Sequence, residues 1–295
     1  LKTGLRTHYI EFPENSSAYN AIFYPNNLYI LSARLDHSIQ LWEPDTRTIV
    51  KNFVGHTDVI SSVTFTPDGK TLLSASWDGT IRLWDVATTL MSTKIKAPAG
   101  GIYTAVFSQD GKRIYSGGGD RNIRVWDVET GREIKVFEGH QAEVTSLLFS
   151  PDGKMLISHS VDGVTKFWDL NSGNDFFEHI HLGENDWMAR NREGYFNATD
   201  DARKYIHFVS GTKTFSVDEF YNDFYRPDLL PRIFQNRGAT DNLEGIQGKL
   251  QSSPPPTVKI AVMPAGEGKA EVLVRLVDNG AGVDNLKLFH NGKSL

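Results

Sequence analysis

Tryptophan stands at positions 42, 84, 126 and 168, a constant step of 42 residues. Three more columns keep the same step through the same four copies: Asp36, Asp78, Asp120 and Asp162; Ser32, Ser74, Ser116 and Ser158; Phe23, Phe65, Phe107 and Phe149. Such self-similarity means one supersecondary unit repeated in tandem, each copy burying its apolar face against its neighbours. The turn TPDGK at 66–70 returns as SQDGK at 108–112 and SPDGK at 150–154, with a degenerate YPNNL at 24–28 in the first copy.

Each copy reads as short β-strands. In the second, Val59, Ser61, Val63 and Phe65 alternate with Ile60, Ser62 and Thr64. Pro67-Asp68-Gly69 makes a tight turn, because proline presets φ and glycine accepts a positive φ. Thr71–Ser76 predicts a second strand, Asp78-Gly79 a second turn, Thr80–Trp84 a third strand and Ser92–Lys96 a weaker fourth. Four antiparallel strands in one period make a propeller blade. Helical periodicity is absent from residues 1–183.

Composition narrows the function classes. The chain has 295 residues and a net charge of -5, so general binding of nucleic acid is not expected. It has no cysteine, which removes disulfides, thiolate metal sites and a cysteine nucleophile from these residues. No apolar run reaches the roughly 18 residues of a membrane span, so no membrane partner is expected. LKTGLRTHYIEF at the start is no secretory signal, and cytoplasmic location is the default expectation.

Residues 14–181 resemble the WD-repeat β-propeller family. The residues that carry the likeness are the dipeptides Trp84-Asp85, Trp126-Asp127 and Trp168-Asp169, with Trp42-Glu43 as a departure, and the Gly-His pairs Gly55-His56 and Gly139-His140. The repeats run at about 14–55, 56–97, 98–139 and 140–181. The resemblance implies a structural tetrad of hydrogen-bonded side chains, His56, Ser74, Asp78 and Trp84 in the second repeat and His140, Ser158, Asp162 and Trp168 in the fourth. The first and third repeats carry Glu14 and Pro98 where the histidine would stand, leaving partial tetrads of Ser32, Asp36 and Trp42 and of Ser116, Asp120 and Trp126. Those two blades are expected to depend more on plain packing. Recurrence of the set in several copies marks it as architecture rather than as a nucleophilic triad, for which one privileged copy with an oxyanion site would be needed.

The fold class expected is all-β: four regular blades plus one atypical blade in an incomplete ring, a short helical bridge, and a partial immunoglobulin-like β-sandwich. Domains are expected at 1–217, 218–256 and 257–295. Leu1-Lys2-Thr3-Gly4 aligns with Leu170-Asn171-Ser172-Gly173, so Thr3–Ile10 reads as an outer strand. Either that strand completes the last blade, as the family often arranges, or earlier blades are missing. A start at Leu1 rather than Met and a family ring of seven or eight blades favour truncation.

The period fails after Leu182, but short strands continue over Asp186–Ala189, Gly194–Asn197, Tyr205–Ser210 and Thr214–Val217, an atypical blade at 184–217. A helix is expected from Asp218, with Phe220 and Phe224, and Tyr221 and Tyr225, spaced by four, ending at Pro227, and Leu229–Phe234 reads as one further turn of helix. Residues 185–211 and 217–230 resemble the segment that follows the propeller in bacterial multidomain proteins with a WD-repeat propeller, an immunoglobulin-like module and a C-terminal caspase-like peptidase domain. Trp187, Glu193-Gly194-Tyr195-Phe196, Phe220 and Tyr225 through Leu230 carry that likeness. It implies a catalytic domain beyond Leu295. Residues 235–256 read as a linker stiffened by Pro254-Pro255-Pro256. Thr257–Met263, Glu271–Val277 and Leu286–His290 read as three strands, about half a sandwich.

Of the chemical candidates, His179 and His181 share one strand face but read as a polar edge strand before they read as a metal site. Gly117-Gly118-Gly119 lacks the Lys-Ser/Thr and the helix of a phosphate loop, and Asp278, Asn279 and Asp284 lack the rest of a calcium loop. No cofactor is expected. The expected partner is a protein or peptide. The WD-repeat likeness implies that the residue before each turn aspartate faces it, which selects Leu35, Trp77, Gly119 and Val161, with Arg34 and Tyr103 as neighbours. Trp77 is the sharpest of these, since an exposed indole makes a good hot spot.

Overall fold

The computed structural model describes residues 18–205, 207–210, 213–216, 224–231, 257–264, 270–277, 289–290 and 293–294. The expected outer strand at Thr3–Ile10, Glu14, the helix start at Asp218, the linker at 235–256 and the tail turns at 278–280 and 291–292 lie outside the described residues. The chain divides into two compact units, Leu1–His181 and Leu182–Leu295.

The first unit holds four antiparallel sheets, one for each repeat. They are β1 (Ala18–Phe23), β2 (Ile30–Arg34), β3 (Ser38–Glu43) and β4 (Thr48–Val54); β5 (Ile60–Phe65), β6 (Thr71–Ser76), β7 (Thr80–Asp85) and β8 (Met91–Lys96); β9 (Ile102–Phe107), β10 (Arg113–Gly118), β11 (Ile123–Asp127) and β12 (Glu133–Phe137); β13 (Val144–Phe149), β14 (Met155–Ser160), β15 (Val164–Asp169) and β16 (Asp175–His181). In each sheet the strands pair in chain order, so every connection is a short turn. Each sheet is a four-stranded blade, and the described residues are almost entirely β.

The turn chemistry repeats with the period. Gly69, Gly111 and Gly153 adopt φ near +65 to +70° at the first turn, where Asn27 takes φ 58° in the first copy. The hydroxyls of Thr66, Ser108 and Ser150 donate to Asp68, Asp110 and Asp152 at 2.5–2.7 Å, and those carboxylates accept the amides of Lys70, Lys112 and Lys154. Each turn is therefore closed by its own side chains.

The strands depart from strict alternation at two places per blade. On the first strand one residue bulges out of the ladder: Tyr19, Ser61, Tyr103 and Thr145 are each skipped in the pairing with the second strand. The expected alternation of Val59, Ser61 and Val63 fails for this reason. The extra residue resets the pleat, so Ile60 and Val63 share the buried face. A second irregularity falls beside each tryptophan on the third strand, between Leu41/Trp42, Leu83/Trp84, Val125/Trp126 and Phe167/Trp168.

The core lies between sheets. Leu31, Ala33, Ile39, Leu41 and Phe53 of the first blade meet Ile60, Val63, Leu72 and Trp84 of the second. Leu73, Ala75, Ile81, Leu83 and Ile95 meet Ile102, Ala105, Ile114 and Trp126. Tyr115, Ile123, Val125 and Phe137 meet Val144, Leu147, Leu156 and Trp168. Every seam ends on a tryptophan of the later blade, and Trp168 stacks on Phe137 at 5.6 Å. Polar ties cross the seams as well: Tyr24 Oη donates to the Gly69 carbonyl at 2.8 Å, and Gln109 Nε2 donates to that of Pro151 at 2.9 Å.

In the second unit β17 (Trp187–Asn191) pairs with β18 (Phe196–Ala198), a 3-10 helix covers Asp200–Tyr205, and β19 (His207–Ser210) pairs with β20 (Lys213–Ser216). The two hairpins belong to different sheets, since the backbone between them winds into the 3-10 turn that the sequence reading took for the start of a strand. β21 (Thr257–Pro264) pairs along its length with β22 (Ala270–Val277), and β23 (Phe289–His290) pairs with β24 (Lys293–Ser294).

The turn that leads to the fourth strand carries stored strain. Thr89 sits at φ 63°, where the equivalent residues are Gly131 and Gly173, and all three amides donate to the carbonyl four residues back. A β-branched residue in the left-handed region costs about 1–2 kcal/mol, against roughly 0.5–1 kcal/mol for the extra freedom of an unfolded glycine. Thr89→Gly is therefore expected to raise the melting temperature by about 1–4 °C. Calorimetry of the two proteins checks this, and a lower melting temperature for the variant would refute it.

Candidate functional site

In the second blade the four tetrad residues form one chain of hydrogen bonds. Trp84 Nε1–H donates to Ser74 Oγ at 2.8 Å, Ser74 Oγ and His56 Nε2 are 2.7 Å apart, and His56 Nδ1 meets Asp78 Oδ2 at 2.8 Å. With Nδ1 carrying the proton, the serine hydroxyl donates to the imidazole while accepting from the indole. Asp78 also accepts from the Thr80 hydroxyl at 2.6 Å and from the amides of Thr80 and Thr57. Burial works to raise its pKa, but these bonds outweigh it and hold the carboxyl at about 2. Burial is the larger influence on His56 and lowers its pKa against the pull of Asp78. The fourth blade repeats the set: Trp168 to Ser158 at 2.8 Å, Ser158 to His140 at 2.7 Å, and His140 to Asp162 at 3.2 Å. Burial lowers the pKa of His140 too.

The two tetrad serines have no free face. Ser74 and Ser158 are fully buried, and each hydroxyl is engaged by both an indole and an imidazole. A nucleophile needs an open approach to its oxygen, which this geometry closes.

The blades without histidine keep part of the set, and the third adds a partner that the sequence reading did not name. Trp42 donates to Ser32 at 2.9 Å and Trp126 to Ser116 at 2.8 Å, so the indole–serine bond survives in both. In the third blade Arg124 takes the place of the imidazole: its Nε donates to Asp120 Oδ2 at 2.7 Å and its Nη1 to Glu133 Oε2 at 2.6 Å. Burial opposes the charge on Arg124, but the bonds to Glu133 and Asp120 outweigh it and raise its pKa. In the first blade Asp36 is served by Ser38 Oγ at 2.6 Å and by the Arg34 guanidinium at 3.6 Å. Asp36 stays exposed, whereas Asp78, Asp120 and Asp162 are sheltered beside the core, where an acceptor demands donors and the nearest polar side chain supplies them. The signal was present in the sequence. Gln40, Arg82, Arg124 and Lys166 form a fifth column with the 42-residue step, a polar group one turn inward from each aspartate.

The candidate partner-binding residues divide into two groups. Leu35, Trp77 and Val161 are 48%, 44% and 65% exposed at the turn between the second and third strands of their blades, large for apolar side chains. Gly119 and Tyr103 are half-buried. Arg34 does not belong with them. It is 6% exposed, because its guanidinium turns inward to Gln40 Oε1 at 2.6 Å and to Asp36. The structure brings Trp77 and Tyr103 together, their ring centroids 5.9 Å apart and their planes at 61°. They come from neighbouring blades, and Tyr103 is the bulged residue of β9, which turns its ring out of the ladder.

Beneath them runs a floor that sequence reasoning missed. The loop Ala97–Gly101 packs so closely that a Cβ on Gly118 would run into the Gly101 carbonyl, and one on Gly101 would stand 3.0 Å from Trp77 Cα. Gly100 has φ +73° and lies against Gly119. Elsewhere, His179 lies on β16 with its pKa lowered by burial and by His181. Among the described residues no group of three His, Cys, Asp or Glu side chains is placed to hold a metal ion, and no helix is long and apolar enough to cross a membrane.

Residues 47–85, 90–127 and 131–169 match the family model of the WD domain, G-beta repeat. Each match starts at the fourth strand of one blade and ends on the third strand of the next, so the sequence repeat straddles two sheets and links them. The chain thus carries WD repeats in three places. No curated protein matches it.

Two outcomes follow from the hydrogen-bond networks. Arg124→Met leaves Asp120 without its ion-pair partner beside the core and should lower stability by about 2 kcal/mol, a loss of roughly 4–8 °C. If its melting temperature equals that of the parent, Asp120 does not depend on Arg124. The buried imidazoles add a pH dependence. An unfolded histidine takes its proton near pH 6.5, whereas folded His56 and His140 take theirs only at lower pH. Protons therefore favour unfolding. Stability is full above about pH 7.5 and drains as pH falls through 6.5, by at most about 1.4 kcal/mol per pH unit for each histidine. Urea unfolding at pH 8, 7, 6 and 5 should show this decline, flattened in the double variant His56→Asn, His140→Asn; an equal slope in both proteins would exclude the imidazoles as its source.

Proposed function

We propose that this chain is a non-catalytic scaffold whose propeller blades present a protein or peptide partner with the face that carries Leu35, Trp77, Gly119 and Val161. WD repeats in general mediate protein–protein interaction, and propellers built from them are typically non-catalytic. The observation that carries the reading is a break in repetition. Side chains that build the blades recur every 42 residues and are buried. The side chains at the turn before the aspartate do not recur: leucine, tryptophan, glycine and valine occupy equivalent positions, three of them exposed. Architecture accounts for what repeats. Selection for a partner accounts for an exposed indole where a neighbouring blade manages with glycine.

A second reading extends the first and is favoured by one feature of the second unit. The residues that carry the likeness to caspase-linked bacterial proteins pack on one another. Arg226 N–H donates to the Phe196 carbonyl at 2.7 Å, Phe196 and Tyr225 form a parallel bridge, and the Arg226 guanidinium lies over Tyr195 at 5.1 Å. Phe224 is buried with its ring 5.2 Å from Tyr195. On this reading the propeller is the sensing arm of a larger peptidase, and β21–β24 begin an immunoglobulin-like module between the two. The open reading frame beyond Leu295 tests it: a peptidase histidine and cysteine encoded downstream would support it, and a stop codon there would end it.

The scaffold reading is tested with the chain as bait for partner capture, followed by quantitative binding of each captured protein. Trp77→Ala is expected to keep the parent's melting temperature within about 2 °C and to weaken binding by about 2 kcal/mol or more, roughly thirtyfold. Unchanged affinity for every partner would place the binding face elsewhere.

A further inference from the structure

The third repeat combines three features that no other repeat brings together. Like the first it has no histidine before its first strand and a tyrosine as its bulged residue, and it alone has glycine at 100, 101, 118 and 119. Arg124 makes the missing histidine tolerable, because it replaces the imidazole as partner of Asp120. The loop before β9 is then released from holding a tetrad and instead forms the glycine floor. On that floor stand two rings from two blades, 5.9 Å apart at 61°. A Cβ at Gly119 would lie 3.7 Å from the Tyr103 hydroxyl, and glycine leaves that position without a side chain. The equivalent pairs in the flanking blades are Leu35 with Ser61 and Gly119 with Thr145, neither of which makes such a corner.

Two aromatic faces meeting at a steep angle attract a cation more strongly than one face does, and tryptophan is the best such face. The setting has the matching sign. The chain carries a net charge of -5. Asp58 is exposed beside Val59, whose carbonyl accepts the Trp77 amide at 2.9 Å. Resting on the scaffold reading above, we propose that the Trp77–Tyr103 corner seats one cationic side chain, an arginine, a lysine or a methylated lysine, presented by a basic peptide segment of the partner. Arg121, exposed in the turn after Gly119 at φ 68°, is the charge that opposes such a guest.

The probes are four synthetic peptides in one Gly-Ser-Ala frame, with arginine, trimethyllysine, proline or glutamate at the centre. Binding is read on the full chain from the indole N–H signal of Trp77, assigned through Trp77→Phe. The arginine and trimethyllysine peptides should shift that signal saturably and bind at least about threefold more tightly than the proline and glutamate peptides. The preference should weaken several-fold in Tyr103→Leu and as salt rises from about 50 to 500 mM, and strengthen in Arg121→Gly, whose backbone suits that turn. Equal or tighter binding of the proline peptide, which would mark a polyproline groove, overturns the proposal, as does an unmoved indole signal with all four. Loss of partner capture in Trp77→Ala with no preference among the peptides overturns the cation seat and leaves the scaffold reading intact. A clear cationic preference with partner capture indifferent to Trp77 supports the seat and removes the face from the scaffold reading.

Discussion

The indole N–H of each third strand donates to the serine of the second strand, at 2.8–2.9 Å in all four blades. This bond matters beyond its own strength of about 1 kcal/mol. It fixes the plane of a large ring whose apolar face has to cover the sheet before it. Trp84, Trp126 and Trp168 each close a seam in that way, so one polar contact inside a blade aligns the packing between blades. Loss of the ring would remove both. That double duty explains why tryptophan and serine hold their columns even where histidine does not.

The aspartate at the next turn is the more variable part of the design. Its carboxylate is drawn in beside the core to hold the turn amides, and it must find further donors there. Imidazole serves in the second and fourth blades and guanidinium in the third, while the exposed Asp36 of the first blade accepts from a serine hydroxyl. The requirement is satisfaction of a buried acceptor, not a particular residue. This tolerance has a consequence for the surface. Where arginine reaches Asp120 from within its own blade, the loop that would have carried histidine can take another shape, and the glycine floor under Trp77 and Tyr103 is that shape.

Much of the blade architecture was legible in the residues. Period, strand order and turn type all follow from contacts between residues close in sequence, and these leave marks at fixed spacing. Two things were misread. The bulge that turns Tyr103 outward leaves no composition signal, because a skipped residue shows only when two strands are paired. Arg34 looked like a surface cation, yet it is buried, since its guanidinium finds Gln40 and Asp36 in the folded blade. The role of Arg124 could have been read from its column, had the polar residues of the third strand been counted with the tryptophans.

What the sequence determined by itself was the unit: a four-stranded sheet of about 42 residues, with its turns and its indole–serine latch, because each depends on local spacing and local hydrogen bonding. What only the tertiary structure decided was how equivalent positions come to differ. Burial of Arg34 beside exposure of Leu35, and the meeting of Trp77 with a ring from the next blade, depend on which sheet lies against which. Side chains 26 residues apart become neighbours only when the seam between two blades closes, and the energy that closes it comes from apolar area shared by both.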